Sequence, residues 1–218
     1  MRGLALFLIA AAAISSPAAA SVALRAEVED LAETASVVAD AVVLDHSASL
    51  DPAAGAISTS YRVRVTAALA GEVSGEIVVR VPGGRVGTVT QEMLGAPELE
   101  DGARVVLFLG PQADGARAVI GLNQGAFRVE TDPATGAARC RNSLDGLSLV
   151  GRDGRTASAQ PLELTIAEMT VRVAAGRARG EAKRRAASDA LERRLSAWRR
   201  SAERHAAAAR GRPGGSPL

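Results

Sequence analysis

The residue types that carry most enzyme chemistry are scarce in this chain. It has two histidines, His46 and His205, and a single cysteine, Cys140. The two histidines are far apart in the sequence, so they form neither an HExxH zinc helix nor a His-rich metal cluster. No G-x-S-x-G motif occurs, and a serine triad would need His46, in a loop-like stretch, or His205, in the basic C-terminal region. The sequence therefore indicates no catalytic residue, no metal ligand and no cofactor.

Cys140 and one acidic run keep an enzyme alternative open. Neither histidine has a recognisable relation to Cys140, which favours a buried or idle thiol over a nucleophile; an exposed Cys140 could instead form an intermolecular disulfide. Glu98-Leu-Glu-Asp101 groups its carboxylates in a pattern typical of a solvated turn before a strand. A glycosidase pair must face a sugar-sized cleft from opposite sides, which spacing alone does not establish. A hydrolase that uses these carboxylates or Cys140 is one alternative to a non-enzymatic protein.

Two glycine-containing segments are candidates for binding. Pro82-Gly-Gly-Arg-Val-Gly87 lacks the Lys-Ser/Thr of a phosphate-binding loop and no helix pattern follows it, so we expect a tight turn with Arg85 at its tip. The second segment runs from Gly121 to Phe127. Both are candidate rims of a binding surface, with these residues: Pro82, Gly83, Gly84, Arg85, Gly87, Gln124, Gly125 and Phe127.

Charge is distributed unevenly along the chain. Residues 21–171 contain 12 Arg and 20 Asp or Glu, a net charge of −8, whereas residues 172–218 contain 13 Lys or Arg and 4 Asp or Glu, a net charge of +9. Such asymmetry bears on partners and solubility rather than on fold. The basic region could bind an anionic surface or an acidic protein face, remain solvated, or fold back on the acidic part. Nucleic acid is disfavoured, because stacking aromatics are nearly absent. The candidate residues of this region are Arg184, Arg185, Arg193, Arg194, Arg199 and Arg200.

The elements that must position these residues are mainly β-strands. A short helix is expected within residues 26–36, followed by a Val-rich buried strand at 37–44 and a loop at 51–55. Apolar and polar residues alternate at 58–66, which is the pattern of a half-exposed strand. Further short strands, separated by glycine and proline, are expected at 76–81, 104–109, 117–121, 126–130 and 147–150. A strand is also expected in residues 137–142, with Cys140 near its end. Because no long helical crossover separates them, the pattern favours an antiparallel barrel or sandwich over residues 21–160.

Helices are expected after the strands. Thr165 and Glu168 have the spacing of a capping box that starts a helix at Ile166, so residues 161–176 are expected to form a capping helix against the β domain. Ala187, Leu191, Leu195 and Trp198 recur at helical spacing, which predicts a basic amphipathic helix over residues 177–209. Residues 210–218 are expected to be disordered.

The N-terminal residues 1–20 have the pattern of a secretory signal peptide. Arg2 precedes an uncharged apolar run from Leu4 to Ile14, and Ala18-Ala-Ala20 supplies the small residues of a cleavage site before Ser21. The run is short of the roughly 20 residues that a membrane anchor needs. We therefore expect an exported protein, periplasmic or extracellular.

Four segments in order resemble a group of uncharacterised exported bacterial proteins. They are Ala39-Asp-Ala-Val-Val43, the stretch from Val78 to Gly87, the stretch from Gly102 to Leu109 and the stretch from Val119 to Val129, which are similar to the patterns ADxVVxGxV, VxxPGGxxG, GxxVLLFL and VxGLxQGxF over roughly residues 30–135. The resemblance implies a small OB-like β-barrel, similar in outline to netrin and tissue-metalloproteinase-inhibitor modules. This chain has Leu44-Asp45 where the group usually has a glycine. It also lacks the Cys-x-Cys start through which those inhibitors chelate zinc.

Together these observations favour an exported, non-enzymatic binding module that recognises another protein through the loops of a barrel. A secreted protease is one candidate partner. The alternatives are an envelope-associated structural protein, held to anionic surfaces by its basic helix, and the hydrolase named above.

Overall fold

The computed structural model describes residues 21–112, 114–158 and 160–210, and it describes side chains as far as residue 203. The signal peptide expected at residues 1–20 lies outside the described residues. So does the tail expected to be disordered, except for Arg210 at the end of the last helix.

The fold is mainly β with a long C-terminal helix, as the sequence pattern predicts. The strands are β1 (Ser21–Leu24), β2 (Val37–Asp51), β3 (Ala56–Ala70), β4 (Glu76–Pro82), β5 (Gly84–Val86), β6 (Val89–Gln91), β7 (Arg104–Pro111), β8 (Arg117–Val119), β9 (Ala126–Thr131), β10 (Ala138–Asn142), β11 (Leu147–Val150) and β12 (Glu163–Thr165). The helices are α1 (Val28–Thr34), a 3-10 turn (Leu122–Gly125) and α2 (Ile166–Arg210).

One large sheet contains eight of these strands in the order β12-β10-β9-β7-β2-β3-β4-β8. Strand β8 also pairs with β7, so the pairings from β7 through β2, β3, β4 and β8 return to β7. Five strands linked in this way cannot alternate in direction at every pairing, and β4 with β8 is the parallel pair. The expectation of an antiparallel arrangement throughout is therefore wrong, and the sheet is mixed. Two small sheets accompany it, the parallel pair β1–β11 and the hairpin β5–β6.

The inner core is built from alternate residues of the five linked strands. Val37, Ala39, Ala41 and Val43 on β2 point into it, together with residues at the same spacing on β3, β4 and β7. The intervening residues of β2 and β7, such as Val38 and Val106, point to the other face of the sheet and are also fully buried. This is why the segment at 37–44 is an almost unbroken apolar run, since a strand buried on both faces has no solvent side to make polar.

The second face is covered by α1 and the first turns of α2. Phe108 and Phe127 pack there with ring centroids 5.9 Å apart, beside Met169 and Val173 of α2, both fully buried. The capping box is formed as predicted: the Glu168 amide donates to Thr165 Oγ1 at 3.2 Å, and the Thr165 amide donates to Glu168 at 2.8 Å. The helix therefore begins at Ile166 and closes a flank of the β domain, as expected.

Helix α2 is one continuous helix of 45 residues. The expected division into a capping helix at 161–176 and a second helix at 177–209 is wrong, because no break occurs at Gly176 or Gly180 and residues 161–165 precede the helix. Gly176 instead allows close contact with α1, since a Cβ there would lie 2.5 Å from the Glu29 carbonyl oxygen.

Ion pairs fasten α2 to α1. The acidic residues of α1, together with Glu27 immediately before it, face the basic residues on one side of α2. The ion pairs are Arg172–Glu29 (2.6 Å), Arg172–Glu27 (3.2 Å), Arg179–Asp30 (2.7 Å), Arg179–Glu33 (2.7 Å) and Lys183–Glu33 (2.6 Å). The first part of the basic region thus folds back on the acidic domain, one of the arrangements that the charge pattern allowed.

Candidate functional site

A groove of about 1210 Å³ lies along one side of the β domain. The β5–β6 hairpin, the ends of β2 and β3, and the chain around the ends of β9 and β10 contribute to its walls. The irregular segment 92–100 between β6 and β7 runs along it. The groove is larger than the 300–1,000 Å³, roughly, of most small-molecule pockets, which suits a longer ligand.

Segment 92–100 is held firmly although it has no regular structure. Gly95, Pro97 and Leu99 are buried, and the glutamates between and after them are exposed. The backbone amide of Asn123 donates to the Gly95 carbonyl at 2.8 Å, and its side-chain Nδ2 donates to the Asp145 carbonyl at 3.0 Å. Gly95 has φ +80°, and a side chain there would collide with Leu147. These contacts fix one border of the groove in place before any ligand binds.

The first candidate rim is part of this groove. Pro82, Gly83, Gly84 and Arg85 line it, whereas Gly87 is not among its lining residues. The backbone turns between β4 and β5 at Gly83, where φ is +96° and the amide donates to the Ile57 carbonyl at 2.8 Å.

The expectation that Arg85 stands at the tip of this turn is wrong. Arg85 lies within β5, paired with Thr90 of β6, and Gly87 belongs to the turn of the hairpin that follows. The exposed Arg85 side chain reaches only the Gly87 carbonyl, at 3.2 Å, among the described residues.

The second candidate rim is buried and supports the fold. Gln124 is 2 % exposed; its Oε1 accepts from the Ala26 amide at 2.8 Å, and its Nε2 donates to the Leu24 carbonyl at 3.0 Å. A side chain on Gly125 would collide with the Ile120 backbone. Phe127 contributes to the groove lining, but its side chain is fully buried against Phe108. The interpretation of Gln124, Gly125 and Phe127 as an accessible rim is therefore wrong.

Four exposed side chains of both charge signs line the groove and form no ion pair within the described residues. They are Glu92, Glu98, Arg85 and Arg141. By contrast, Arg128 binds Glu100 at 2.6 Å, and this contact lowers the pKa of the Glu100 carboxyl. The groove thus offers free charges to a ligand, next to the apolar side chain of Met93, which is 46 % exposed.

Sequence reasoning missed the contribution of segment 92–100. Its glutamates suggested only a solvated turn, and Glu98 and Glu100 are indeed exposed. The signal that could have found it is the alternation of Gly95, Pro97 and Leu99, which has the period of a strand that buries one side.

His46 lies on β2, opposite Tyr61 of β3, so its assignment to a loop-like stretch is wrong. Its Nδ1 is 2.8 Å from Asp101 Oδ1, and its ring centroid is 5.5 Å from that of Tyr61. Burial raises the pKa of the Tyr61 hydroxyl. Within the described part of the chain no hydrogen bond joins His46 to a serine, threonine or cysteine, and no group of three or more His, Cys, Asp or Glu could hold a metal ion. The contact between His46 and Asp101 thus orients the His46 ring at the groove, but it brings no nucleophile to the ring.

Cys140 is fully buried on β10. Its Sγ donates to the Leu164 carbonyl at 3.2 Å, and burial raises the pKa of the thiol to about 11. A thiolate is the reactive form of cysteine, so this environment suppresses nucleophilic chemistry. The alternative in which an exposed Cys140 forms an intermolecular disulfide is wrong, because the side chain has no access to solvent.

The basic residues expected in the tail lie on the exposed part of α2. Arg184, Arg185, Arg193, Arg194, Arg199 and Arg200 are all exposed. Only Arg185 among these forms a described ion pair, with Glu181 at 3.8 Å. The apolar residues between them, Leu191, Leu195 and Trp198, are exposed as well. This part of α2 is therefore separate from the groove and available for contacts of its own.

A comparison with protein-family models finds none that matches this chain, and a comparison with curated proteins finds no match either. None of the described helices is both long and apolar enough to span a membrane.

Proposed function

We propose that this chain is an exported, non-enzymatic binding module built on an OB-like barrel. The circuit of pairings from β7 through β2, β3, β4 and β8 back to β7 supports the barrel, because five strands that close on themselves with a Greek-key order are the hallmark of that fold. The four sequence motifs that resemble uncharacterised exported bacterial proteins also support it, because that resemblance implies an OB-like barrel. OB-like barrels commonly bind ligands through one face and its loops.

The groove is the observation that carries the binding role. Its lining contains an exposed apolar side chain, Met93, and charged side chains of both signs that form no described ion pair. The hydrogen bond between Asn123 and Gly95 holds segment 92–100 at its border. A preformed groove lowers the entropic cost of binding. Free charges on the rim favour a polar partner that carries complementary charges.

The occupant we propose is an extended segment of another protein. Strand β6 pairs only with β5 within the described residues, and its three residues are all exposed. Thr90 and Gln91 of this strand line the groove. An unpaired strand edge beside a groove is suited to strand addition, in which main-chain hydrogen bonds supply affinity and side-chain pockets supply specificity.

Affinity capture from the extracellular and envelope fractions of the source organism, followed by calorimetry with the captured protein, tests this proposal. Met93→Glu should weaken binding about tenfold or more, because it places a charge in the apolar part of the interface. Thr90→Pro should weaken it through loss of a strand-edge amide. Arg200→Glu on α2 is the matched control and should leave the affinity unchanged.

The proposal fails if no protein binds saturably, or if Met93→Glu and Thr90→Pro proteins that melt like the wild type bind the captured protein with unchanged affinity. Loss of binding only in Arg200→Glu would assign the interaction to the helix instead.

A further inference from the structure

The outer part of α2 extends away from the β domain. From residue 184 to residue 203, every described side chain is exposed except Ala190 and Ser201, which are partly exposed. With the remaining turns to Arg210, this part of the helix is about 40 Å long. In proteins, most of the stability of a helix comes from packing of its apolar face, which this segment lacks, so the segment gains from a partner.

An apolar stripe follows this part of the helix at the spacing of a coiled-coil seam. Leu191, Leu195, Trp198 and Ala202 follow one another at intervals of four, three and four residues, which places them at successive a and d positions of a heptad. Leu191, Leu195 and Trp198 are 56 %, 47 % and 68 % exposed. Nothing in the described part of the chain covers them.

The charges beside the stripe favour one kind of partner. Glu192 and Arg199 lie on the same flank, one heptad apart, and Arg194 lies on the opposite flank. In a parallel pair of such helices, Arg194 would face Arg199 of the second copy, and like charges repel. In an antiparallel pair, Glu192 faces Arg199 of the second copy, and the symmetry repeats this contact at the other end of the seam.

We propose that two copies of this chain associate through an antiparallel coiled coil formed by residues 188–203 of α2. Leu195 of each copy packs against Trp198 of the other, and Leu191 packs against Ala202. Each Glu192 pairs with Arg199 of the second copy. This interface lies outside the groove, so it does not depend on the function proposed above.

Sedimentation velocity of the purified protein over a series of concentrations tests the proposal. Trp198 is the only tryptophan of the chain, so its fluorescence reports burial at the seam directly. We expect a monomer–dimer equilibrium and a shift of the Trp198 emission to shorter wavelength as the dimer forms. Leu195→Glu should raise the dissociation constant about tenfold or more, because it removes the central layer and inserts a charge.

A charge exchange distinguishes the two orientations. Arg199→Glu should weaken an antiparallel dimer about threefold, since Glu192 then faces a glutamate, and Glu192→Arg combined with Arg199→Glu should restore the affinity. Arg200→Glu is the matched control: Arg200 follows Arg199 in the chain but points away from the seam, so this change should leave the equilibrium unchanged. Stronger association of Arg199→Glu would overturn the antiparallel orientation.

A constant monomer mass with an unshifted Trp198 emission would overturn the proposal. So would a dimer that Leu195→Glu does not weaken. If the emission shifts only on addition of vesicles that contain anionic phospholipid, while the protein in solution stays monomeric, the helix binds a membrane surface and not a second copy.

Discussion

Gly176 of α2 and Glu29 of α1 are in backbone contact: a Cβ atom on Gly176 would lie 2.5 Å from the Glu29 carbonyl oxygen and 2.8 Å from Ala32 Cβ. The two helices therefore cross at a distance that only glycine permits. This close approach also brings the guanidinium of Arg172 onto the Glu29 carboxylate, at 2.6 Å. Steric fit and charge pairing thus depend on each other at this crossing.

Gly176→Ala should destabilise the protein. The added methyl group must push α2 away from α1, and overpacking of this kind costs about 1–3 kcal/mol, more than the gain in helix propensity from alanine. Thermal unfolding followed by circular dichroism measures the effect. Gly180→Ala is the control, because the atom nearest to a Cβ added at residue 180 is Cγ of the flexible Glu33 side chain, at 3.1 Å. Equal melting temperatures for Gly176→Ala and the wild type would contradict the tight crossing.

Acid should weaken the docking of α2. A hydrogen bond from Arg172 lowers the pKa of the Glu29 carboxyl below its usual 4.5. For Asp30, burial acts to raise the pKa, but hydrogen bonds from the Glu27 amide and Arg179 outweigh it and lower the pKa below 3.8. Carboxyls whose pKa is lowered by folding stabilise the folded state above their unfolded pKa, and this contribution is lost as the pH falls through the folded pKa. The free energy of unfolding should therefore decrease as the pH falls below about 4.5.

Arg172→Met isolates the Glu29 part of that pH dependence. It should lower the free energy of unfolding by about 1 kcal/mol at pH 7 and make its decrease in acid shallower. Denaturant titrations at a series of pH values measure both effects. Arg155→Met, at an exposed arginine without a described ion pair, serves as the control. An unchanged acid slope in Arg172→Met would show that other carboxyls dominate.

Arg104→Met should destabilise the sheet. Asp40 on β2 is almost fully buried, and Arg104 on β7 donates to both of its carboxylate oxygens, at 2.9 and 2.6 Å. Removing the arginine leaves a buried carboxylate without its partner, which costs about 2–3 kcal/mol for this partly exposed arginine. The double variant Asp40→Val and Arg104→Met should be less destabilised than Arg104→Met alone, because it buries no unpaired carboxylate. Simple additivity in a double-mutant cycle would contradict this coupling.

Cys140 should be unreactive in the folded protein. With a thiol pKa of about 11, about one molecule in a thousand carries a thiolate at pH 8, and the sulfur is covered by the sheet and α2. Ellman's reagent should react with no thiol in native buffer and with one per chain in guanidinium chloride. Rapid reaction of the native protein would mean that the flank closed by α2 opens readily.

Most of the strands could be predicted because their pattern is local. The Val-rich run on β2, the alternation on β3 and the capping box at Thr165 each need only a few neighbouring residues. Strands β1, β5, β6 and β12 were not predicted. The equally short strands β8 and β11 were predicted because each lies in a mainly apolar run bounded by glycine. The parallel pair β4–β8 follows from closing a circuit of five strands, which no local pattern encodes.

The candidate site was predicted only in part, because glycine has two opposite uses. At Gly83 it permits a turn with positive φ beside an accessible groove. At Gly125 it permits the backbone to pack against Ile120, where any side chain would collide. Both segments contain glycines between strands, so the sequence alone could not separate a rim from a buried turn. Likewise, the helix boundary expected at residue 176 falls at a glycine that permits close packing inside a continuous helix.

The pairing of β1 with β11 sets an order of events during synthesis. Ser21 pairs with Leu147 and Leu24 with Val150, so the first described strand must wait until most of the domain has been made. Local hairpins such as β2–β3 can form much earlier, whereas closure over so long a stretch of chain is slow. Strand β1 is therefore synthesised well before β11 and is among the last strands to be paired. It stays open to chaperones or other factors throughout that interval.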